Sequence, residues 1–178
     1  MKIDRKWLTK YNACKEGKDW YLAHCDPDPV IGVRQLLDGG HFEWANWLLV
    51  RLFNKPQNVR YAIYAATQVM GVYKAEHPGD KRPRQAIAAA RRYLKSPSEA
   101  NRQAARKAAA DAAAYAAAYA ADAAADAADA AGAADAAGAA DAAYAAARAA
   151  CAAAYADYAA KRKIILYGIR ILREAQNG

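Results

Sequence analysis

A tract rich in alanine between positions 101 and 160 constrains this 178-residue chain more than any other feature of its sequence. It contains 39 of the chain's 52 alanines. Because alanine is the strongest helix former, the tract predicts helix. One unbroken helix over residues 99–160 would be about 90 Å long, whereas a compact chain of this length has a radius of gyration of about 16 Å. The tract must therefore bend, or the protein must be extended.

The spacing of the other residues in the tract predicts where it bends. On each side of the centre they recur every three or four residues, which places each set on one helix face. The two sets are Asp111, Tyr115, Tyr119, Asp122, Asp126 and Asp129, and Asp141, Tyr144, Arg148, Cys151, Tyr155, Tyr158 and Arg162. Between them the spacing is strictly three, a repeat that drifts around a helix, and Gly132 and Gly138 each cost about 1 kcal/mol in a helix interior. We predict a helical hairpin that turns between these glycines.

In the rest of the chain, residues that start or stop helices recur at short intervals, which predicts several short helices. Strand-forming runs of Val, Ile and Thr are nearly absent, and 12 Tyr and 4 Trp supply apolar area for a core. The predicted helices cover about 5–14 (capped by Asp4 and stopped by Gly17), 19–24, 29–37, 42–53, 59–73 (opened by Asn58), 83–94, a segment after Ser98, and a last stretch through Lys161 to Leu172 that returns to the N-terminal core. We predict an all-α helical bundle in one domain, 1–178. Its parts are a basic, aromatic-rich region (1–97), the alanine-rich hairpin (98–160) and the end of the C-terminal helix (161–178).

The formal net charge of +8 is unevenly distributed. Residues 1–110 carry +10, residues 111–160 carry −6 and residues 161–178 carry +4. A basic body favours anionic partners, although a solvated basic surface is the ordinary alternative. Three cysteines without a CxxC motif indicate neither a disulfide framework nor a zinc site. No segment is apolar enough for a membrane span or a signal region, so we expect a cytoplasmic protein. We also expect no metal or cofactor.

The first candidate site is the segment from His77 to Ile87, HPGDKRPRQAI. It is a loop that leads into a helix N-terminus, where free N–H groups and the helix dipole attract anions. Arg82 and Arg84 could bind a carboxylate or phosphate through two hydrogen bonds each. The alternative is that Asp80 pairs with an arginine of the protein and fixes the loop.

The second candidate is one face of the predicted helix 42–53. Trp44, Trp47 and Arg51 recur at helical spacing, and two indoles with a guanidinium could stack on a base or a peptide side chain. Aromatic residues at this spacing are more often the core face of a bundle.

The remaining patterns are less specific. The Asp/Tyr stripes of the alanine tract resemble metal-ligand spacing but include no histidine, so a solvated face is the simpler interpretation, and pairing with the basic half is the functional one. Among His24, His41 and His77 no catalytic motif is present, and His24 beside Cys25 in sequence does not make a nucleophile–base pair. We therefore predict that the protein is not an enzyme.

The segments WANWLLVR (Trp44 to Arg51) and HPGDKRPRQAI (His77 to Ile87), followed by the alanine-rich tract, resemble a family of immunity proteins. That family is attributed to bacterial toxin systems and also occurs in phage genomes. The resemblance covers about residues 5–172 and is most specific between Asp80 and Ile87. It implies an all-α, non-enzymatic neutralising protein and marks Asp80, Arg82 and Arg84 as functional residues.

Two function classes follow from these patterns. In the first, the protein sequesters a small anionic, nucleotide-derived immune or toxin signal in a bacterial host cell, as phage counter-defence. In the second, it binds and blocks a protein toxin or defence effector. The basic charge favours the first, because proteins that block nucleases tend to be acidic. Direct nucleic-acid binding is less favoured, since the acidic tract would repel a phosphate backbone.

The expected ligand site combines both candidate segments. Arg82 and Arg84 would contact phosphate, Asp80 would orient an arginine or bond a sugar hydroxyl, and an indole would stack on the base. His77 and Arg51 complete the predicted site. We also expect a homodimer, because alanine-faced helices bury little area each and need close neighbours.

Overall fold

A computed structural model describes residues 1–76, 78–113 and 158–176, and every regular element in these ranges is a helix. The helices are α1 (Arg5–Lys10), α2 (Lys15–His24), α3 (Pro29–Asp38), α4 (Phe42–Leu52), α5 (Lys55–Glu76), α6 (Arg82–Lys95), α7 (Glu99–Ala113) and α8 (Tyr158–Gln176). The all-α prediction is confirmed. The predicted hairpin turn at Gly132 to Gly138 lies outside the described residues.

Side-chain caps fix several helix starts where the sequence predicted them. Asp4 accepts a hydrogen bond from the backbone N–H of Trp7 at 2.7 Å, and Asp28 accepts from those of Val30 and Ile31 at the start of α3. The hydroxyl of Ser98 accepts from the backbone N–H of Asn101 at 3.2 Å. Each cap satisfies N–H groups that have no partner within the helix.

Several predicted boundaries were wrong, including the start of α2, which is at Lys15 rather than near position 19. The first helix ends at Lys10 rather than near position 14, because Asn12 adopts a left-handed backbone (φ 55°). Gly17 therefore lies inside α2 and stops nothing. The fifth helix begins at Lys55, where the side chains of Asn54 and Gln57 each accept a hydrogen bond from the other's backbone N–H. Such a reciprocal pair is a capping box, which the sequence reading overlooked.

The core forms where α8 packs against α3, α4 and α5, so the C-terminal helix does return to the N-terminal half. The largest side chains with almost no exposed surface are Tyr61, Ile3, Leu36, Leu37, Leu48, Leu49, Ile164 and Ile171. Gly168 of α8 lies so close to α4 that a Cβ there would be 2.5 Å from Leu49 Cδ1. This close approach positions α4, whose other face carries the tryptophans.

A second layer extends from the core through α5 to α6 and from α6 to α7. Four alanines, Ala86, Ala89, Ala90 and Ala105, are buried almost completely here, beside the larger Ile87 and Tyr93. Within the described ranges, none of the helices is long and apolar enough to cross a membrane.

Candidate functional site

An aromatic-walled cavity of about 280 Å³ lies among the first four helices. Most of its lining is apolar, and the polar side chains are a thiol, a carboxylate, an amide and a phenol. The lining residues are Leu8, Asn12, Ala13, Cys14, Gly17, Tyr21, Leu36, Glu43, Trp44, Trp47 and Leu48. The two tryptophans predicted as a site therefore do face a space that a small molecule could enter.

The turn between α1 and α2 shapes one wall of this cavity. After the left-handed Asn12, the backbone N–H of Ala13 donates to the carbonyl of Leu8 at 2.9 Å. The Cys14 sulfur then accepts from the backbone N–H of Gly17 at 3.4 Å and caps α2. A Cβ at Gly17 would lie 3.2 Å from the Trp44 indole. The absence of a side chain at this position lets α2 approach the ring.

The aromatic side chains behind this wall form a continuous cluster. Trp44 stacks on His41 with ring centroids 4.3 Å apart and an interplanar angle of 14°. His41 meets Trp20 edge to face at 4.2 Å, and Trp20 stacks on His24 at 4.7 Å. Such contacts fix ring orientation in addition to the area they bury. These contacts hold the Trp44 indole in a fixed orientation in the cavity wall.

Trp47 is held in a similar way by two neighbours. The guanidinium of Arg51 lies 4.0 Å from the centre of its ring, and Nη1 of Arg51 donates to the Trp47 carbonyl at 3.1 Å. Trp7 of α1 meets the ring edge to face at 6.3 Å. Burial lowers the pKa of Arg51. Arg51 is not a lining residue, so it positions Trp47 by a cation–π contact rather than facing the cavity.

The charge of the lining differs from what the sequence predicted. Its one acidic side chain is Glu43, which is exposed in the first turn of α4, and the described lining residues include no Lys, Arg or His. The basic residues nearest in sequence are on the wall helices, and the exposed surface of α1 and α2 includes Arg5, Lys6, Lys10 and Lys15. A ligand in the cavity would therefore contact aromatic rings and one carboxylate of the described lining, and no cation.

The second predicted segment is arranged around an internal ion pair. The Arg82 guanidinium donates from Nε to both carboxylate oxygens of Asp80 (2.9 and 3.1 Å) and from Nη2 to one of them (2.6 Å). The backbone N–H of Arg82 also donates to Asp80 at 2.9 Å. Asp80 therefore pairs with an arginine of the protein and fixes the loop before α6, which is the second of the two alternatives that the sequence left open. Arg84 is exposed on α6, and His77 lies outside the described residues.

The structure does not place the two predicted segments in one pocket. The cavity lining comes from residues 8–48 and includes none of residues 80–84. In its contacts with other helices α6 packs on α5 and α7. The predicted composite of Trp44, Trp47, Arg82 and Arg84 therefore separates into an aromatic cavity and a basic helix.

The neighbouring Cys25 and His24 do not form a reactive pair. Burial raises the pKa of the Cys25 thiol to about 11, so it stays protonated at neutral pH. His24 Nδ1 lies 2.9 Å from the Trp20 carbonyl. Among the residues that the structure describes, no group of three His, Cys, Asp or Glu could hold a metal ion.

The sequence reading missed the contribution of α1 and α2 to the cavity. Leu8, Cys14, Gly17 and Tyr21 belong to separate short segments, and periodicity within one helix cannot show which residues of different helices meet. The density of large side chains in positions 7–21 was the available signal, because such short helices are stable only when packed.

Comparison of the chain with protein-family models, with curated proteins and with solved structures finds no match.

Proposed function

We propose that the protein is a non-enzymatic binding protein that takes a small planar group into the cavity between α1, α2 and α4 and so sequesters its ligand. The observation that carries this proposal is the cavity itself, with the indoles of Trp44 and Trp47 in its wall. The ligand class that we propose is a nucleotide-derived immune or toxin signal, with neutralisation of that signal as the role.

Size and lining support a planar group. Ligand sites in proteins usually enclose about 300–1,000 Å³, so a cavity of about 280 Å³ suits a single ring system rather than a whole dinucleotide. Stacking of a base on an aromatic side chain contributes about 1–3 kcal/mol. The rings of Trp44 and Trp47 are already held by His41, Arg51 and Trp7, so binding would order little.

The phosphates of such a ligand would lie outside the cavity. Glu43 in the lining would repel them, whereas the net positive charge of residues 1–110 would attract them. Arg82 and Arg84 are not lining residues, so our proposal assigns the base to the cavity and leaves the phosphates at its rim.

A calorimetric titration with mononucleotides, dinucleotides and cyclic nucleotides tests the proposal. At least one should bind with micromolar affinity or better and change the tryptophan fluorescence. Gly17→Ala should lower that affinity at least tenfold, because its Cβ would be 3.2 Å from the Trp44 ring. Gly71→Ala is the matched control, since nothing lies within 4 Å of its Cβ position. Equal affinities in the two variants would refute the cavity as the site.

The charge of the ligand can be tested separately. Glu43→Gln should strengthen binding of an anionic nucleotide about threefold, the effect of removing one solvated charge several ångströms away. Glu16→Gln on α2 is the control, because it is exposed and does not line the cavity. Weaker binding in Glu43→Gln would indicate a cationic group in the ligand.

Light scattering of the purified protein tests the other two expectations. A homodimer at micromolar concentration would agree with the predicted self-association. If no nucleotide binds and the protein instead forms a stable one-to-one complex with a purified toxin or effector, the blocking function replaces sequestration.

A further inference from the structure

The outward face of α6 carries a concentration of positive charge that the proposed cavity does not use. Arg84, Arg91, Arg92 and Lys95 are all exposed, and α6 contains no acidic residue. At about 100° per residue these four side chains fall within an arc of about 100°, and they extend about 17 Å along the helix axis. We define these four residues as the α6 basic stripe.

The fold fixes the direction of the stripe. The opposite face of α6 is buried against α5 and α7 through Pro83, Ala86, Ile87, Ala89, Ala90 and Tyr93. Because these contacts fix the rotation of the helix, the four cations lie on the exposed side of α6. Between them lie Ala88 and Gln85, so the outward surface contains no large apolar side chain.

Several other arginines on the described surface are paired with carboxylates. Asp38 pairs with both Arg34 and Arg162, and Glu174 pairs with both Arg60 and Arg170. None of the ion pairs found in the described part of the chain involves Arg84, Arg91, Arg92 or Lys95. Four like charges on one helix face repel one another, so the fold gains nothing from their arrangement.

We propose that the α6 basic stripe binds the phosphate backbone of duplex nucleic acid without sequence preference. Guanidinium groups match phosphate oxygens geometrically, and three of the four cations are arginines. A duplex groove is about 6–12 Å wide, so a straight stripe of about 17 Å can reach phosphates on both of its rims. Single-stranded nucleic acid is less suitable, because its binding sites use exposed aromatic rings for stacking and the stripe has none.

An acidic protein partner fits the stripe less well than a duplex. Protein interfaces obtain most of their affinity from a few buried aromatic or large apolar anchors. The outward face of α6 offers only charge, with Ala88 and Gln85 between the cations. Residues 111–160, with a net charge of −6, are a competing anion within the chain. Competition with poly-glutamate tests the first possibility, and the absence of duplex binding by the full chain would indicate the second.

Fluorescence anisotropy with a labelled 20-base-pair duplex tests the proposal on the full chain. Binding should be measurable at 50 mM NaCl, with a slope of log affinity against log salt of about −3 to −4 for four phosphate contacts. The triple variant Arg84→Gln, Arg91→Gln, Lys95→Gln should bind at least tenfold more weakly, and its salt slope should be shallower by about 2 to 3.

The control variant removes the same charge elsewhere. Lys2→Gln, Lys6→Gln, Lys163→Gln changes three exposed lysines that form no ion pair within the described part of the chain. It should keep most of the affinity and the full salt slope. Because all six positions are exposed, both triple variants should fold, and thermal melts check this.

Three results would overturn the proposal. One is no duplex binding at 50 mM NaCl, which would mean that residues 111–160 or solvent neutralise the stripe. Another is an equal loss in both triple variants, which would mean attraction by net charge alone. The third is tighter binding of poly-glutamate than of duplex, which would indicate an acidic protein partner. None of these results bears on nucleotide binding in the cavity, so the two proposals fail separately.

Discussion

The helices of the α1–α4 region pack through large aromatic side chains, whereas many of the buried side chains of the α6–α7 pair are alanines. In the first, Trp7, Trp20, Trp44 and Trp47 pack by their edges and faces and leave a cavity of about 280 Å³. In the second, alanines such as Ala86, Ala90 and Ala105 bring the helices together, and their burial is nearly complete. Large rigid rings cannot fill every space between short helices, whereas methyl groups allow close contact. The first region can therefore enclose a ligand, and the second can only present a surface.

The largest expected effect is in the aromatic region, at Gly32 of α3. A Cβ there would lie 2.0 Å from the Tyr21 hydroxyl and 2.9 Å from the Asp26 carbonyl, which accepts the hydrogen bond of that hydroxyl. Gly32→Ala should therefore lower the free energy of unfolding by about 3 kcal/mol. Gly71→Ala, with open space around its Cβ position, should be neutral or stabilise by up to about 1 kcal/mol. Denaturant unfolding of the two variants measures both, and equal stabilities would show that Tyr21 does not pack against Gly32.

The same substitution in the two regions tests the comparison directly. Ala90→Leu in α6 adds three carbon atoms to a fully buried position and should cost about 2 kcal/mol. Ala13→Leu adds the same atoms beside the cavity and should change stability by less than about 1 kcal/mol, because space is present there. If Ala13→Leu proves as costly as Ala90→Leu, the cavity is not open in solution.

A smaller effect is expected at the buried hydrogen bond between α5 and α4. The Tyr61 hydroxyl donates to Oδ1 of Asn46 at 2.9 Å, and both residues are buried. Tyr61→Phe leaves that oxygen without this donor and should cost about 1–2 kcal/mol. The double variant Tyr61→Phe, Asn46→Leu should recover part of the loss, and a thermodynamic cycle measures the coupling. A coupling of zero would mean that the bond does not form.

The smallest effect is expected at the surface ion pairs that join α8 to α3. The hydrogen bond from Arg34, helped by Arg162, holds the pKa of Asp38 below its ordinary value of 3.8. A pKa lowered by folding stabilises the protein above pH 3.8, and this contribution disappears as the pH falls through the lowered value. Asp38→Asn should lower Tm by about 1–2 °C at pH 6 and by nothing at pH 2. Lys163→Gln on α8, which takes no part in these ion pairs, is the control, and an equal loss of Tm in both variants at pH 6 would contradict the prediction.

Helix content was predictable because local chemistry specifies it. Asp4, Asp28 and Ser98 are cap residues whose side chains reach backbone N–H groups two or three positions ahead. The errors at the end of α1 and the start of α5 also have local causes, the left-handed Asn12 and the Asn54–Gln57 capping box. The position of the hairpin turn in the alanine tract stays a prediction.

The candidate site was predictable only in part. Helical spacing predicted that Trp44, Trp47 and Arg51 share one helix face. In the structure the two indoles line the cavity, whereas the Arg51 guanidinium packs on the Trp47 ring and does not line the cavity. The spacing could not show that α1 and α2 supply the opposite wall. The sequence left open whether Asp80 pairs with an arginine of the protein, and the structure pairs it with Arg82.

The sequence by itself determined that this chain is helical, which part of it is basic and some of the residues that cap its helices. These properties depend on neighbours within about four positions, which interact whatever the tertiary arrangement. The tertiary structure decided which side of each helix is covered. In the tertiary structure Trp44 and Trp47 line a cavity together with Gly17 and Cys14. The cations of the α6 basic stripe lie on the exposed side of α6 because Ala86 and Ala90 are buried on its other side. Packing between distant segments sets these orientations, and no pattern within one helix contains that information.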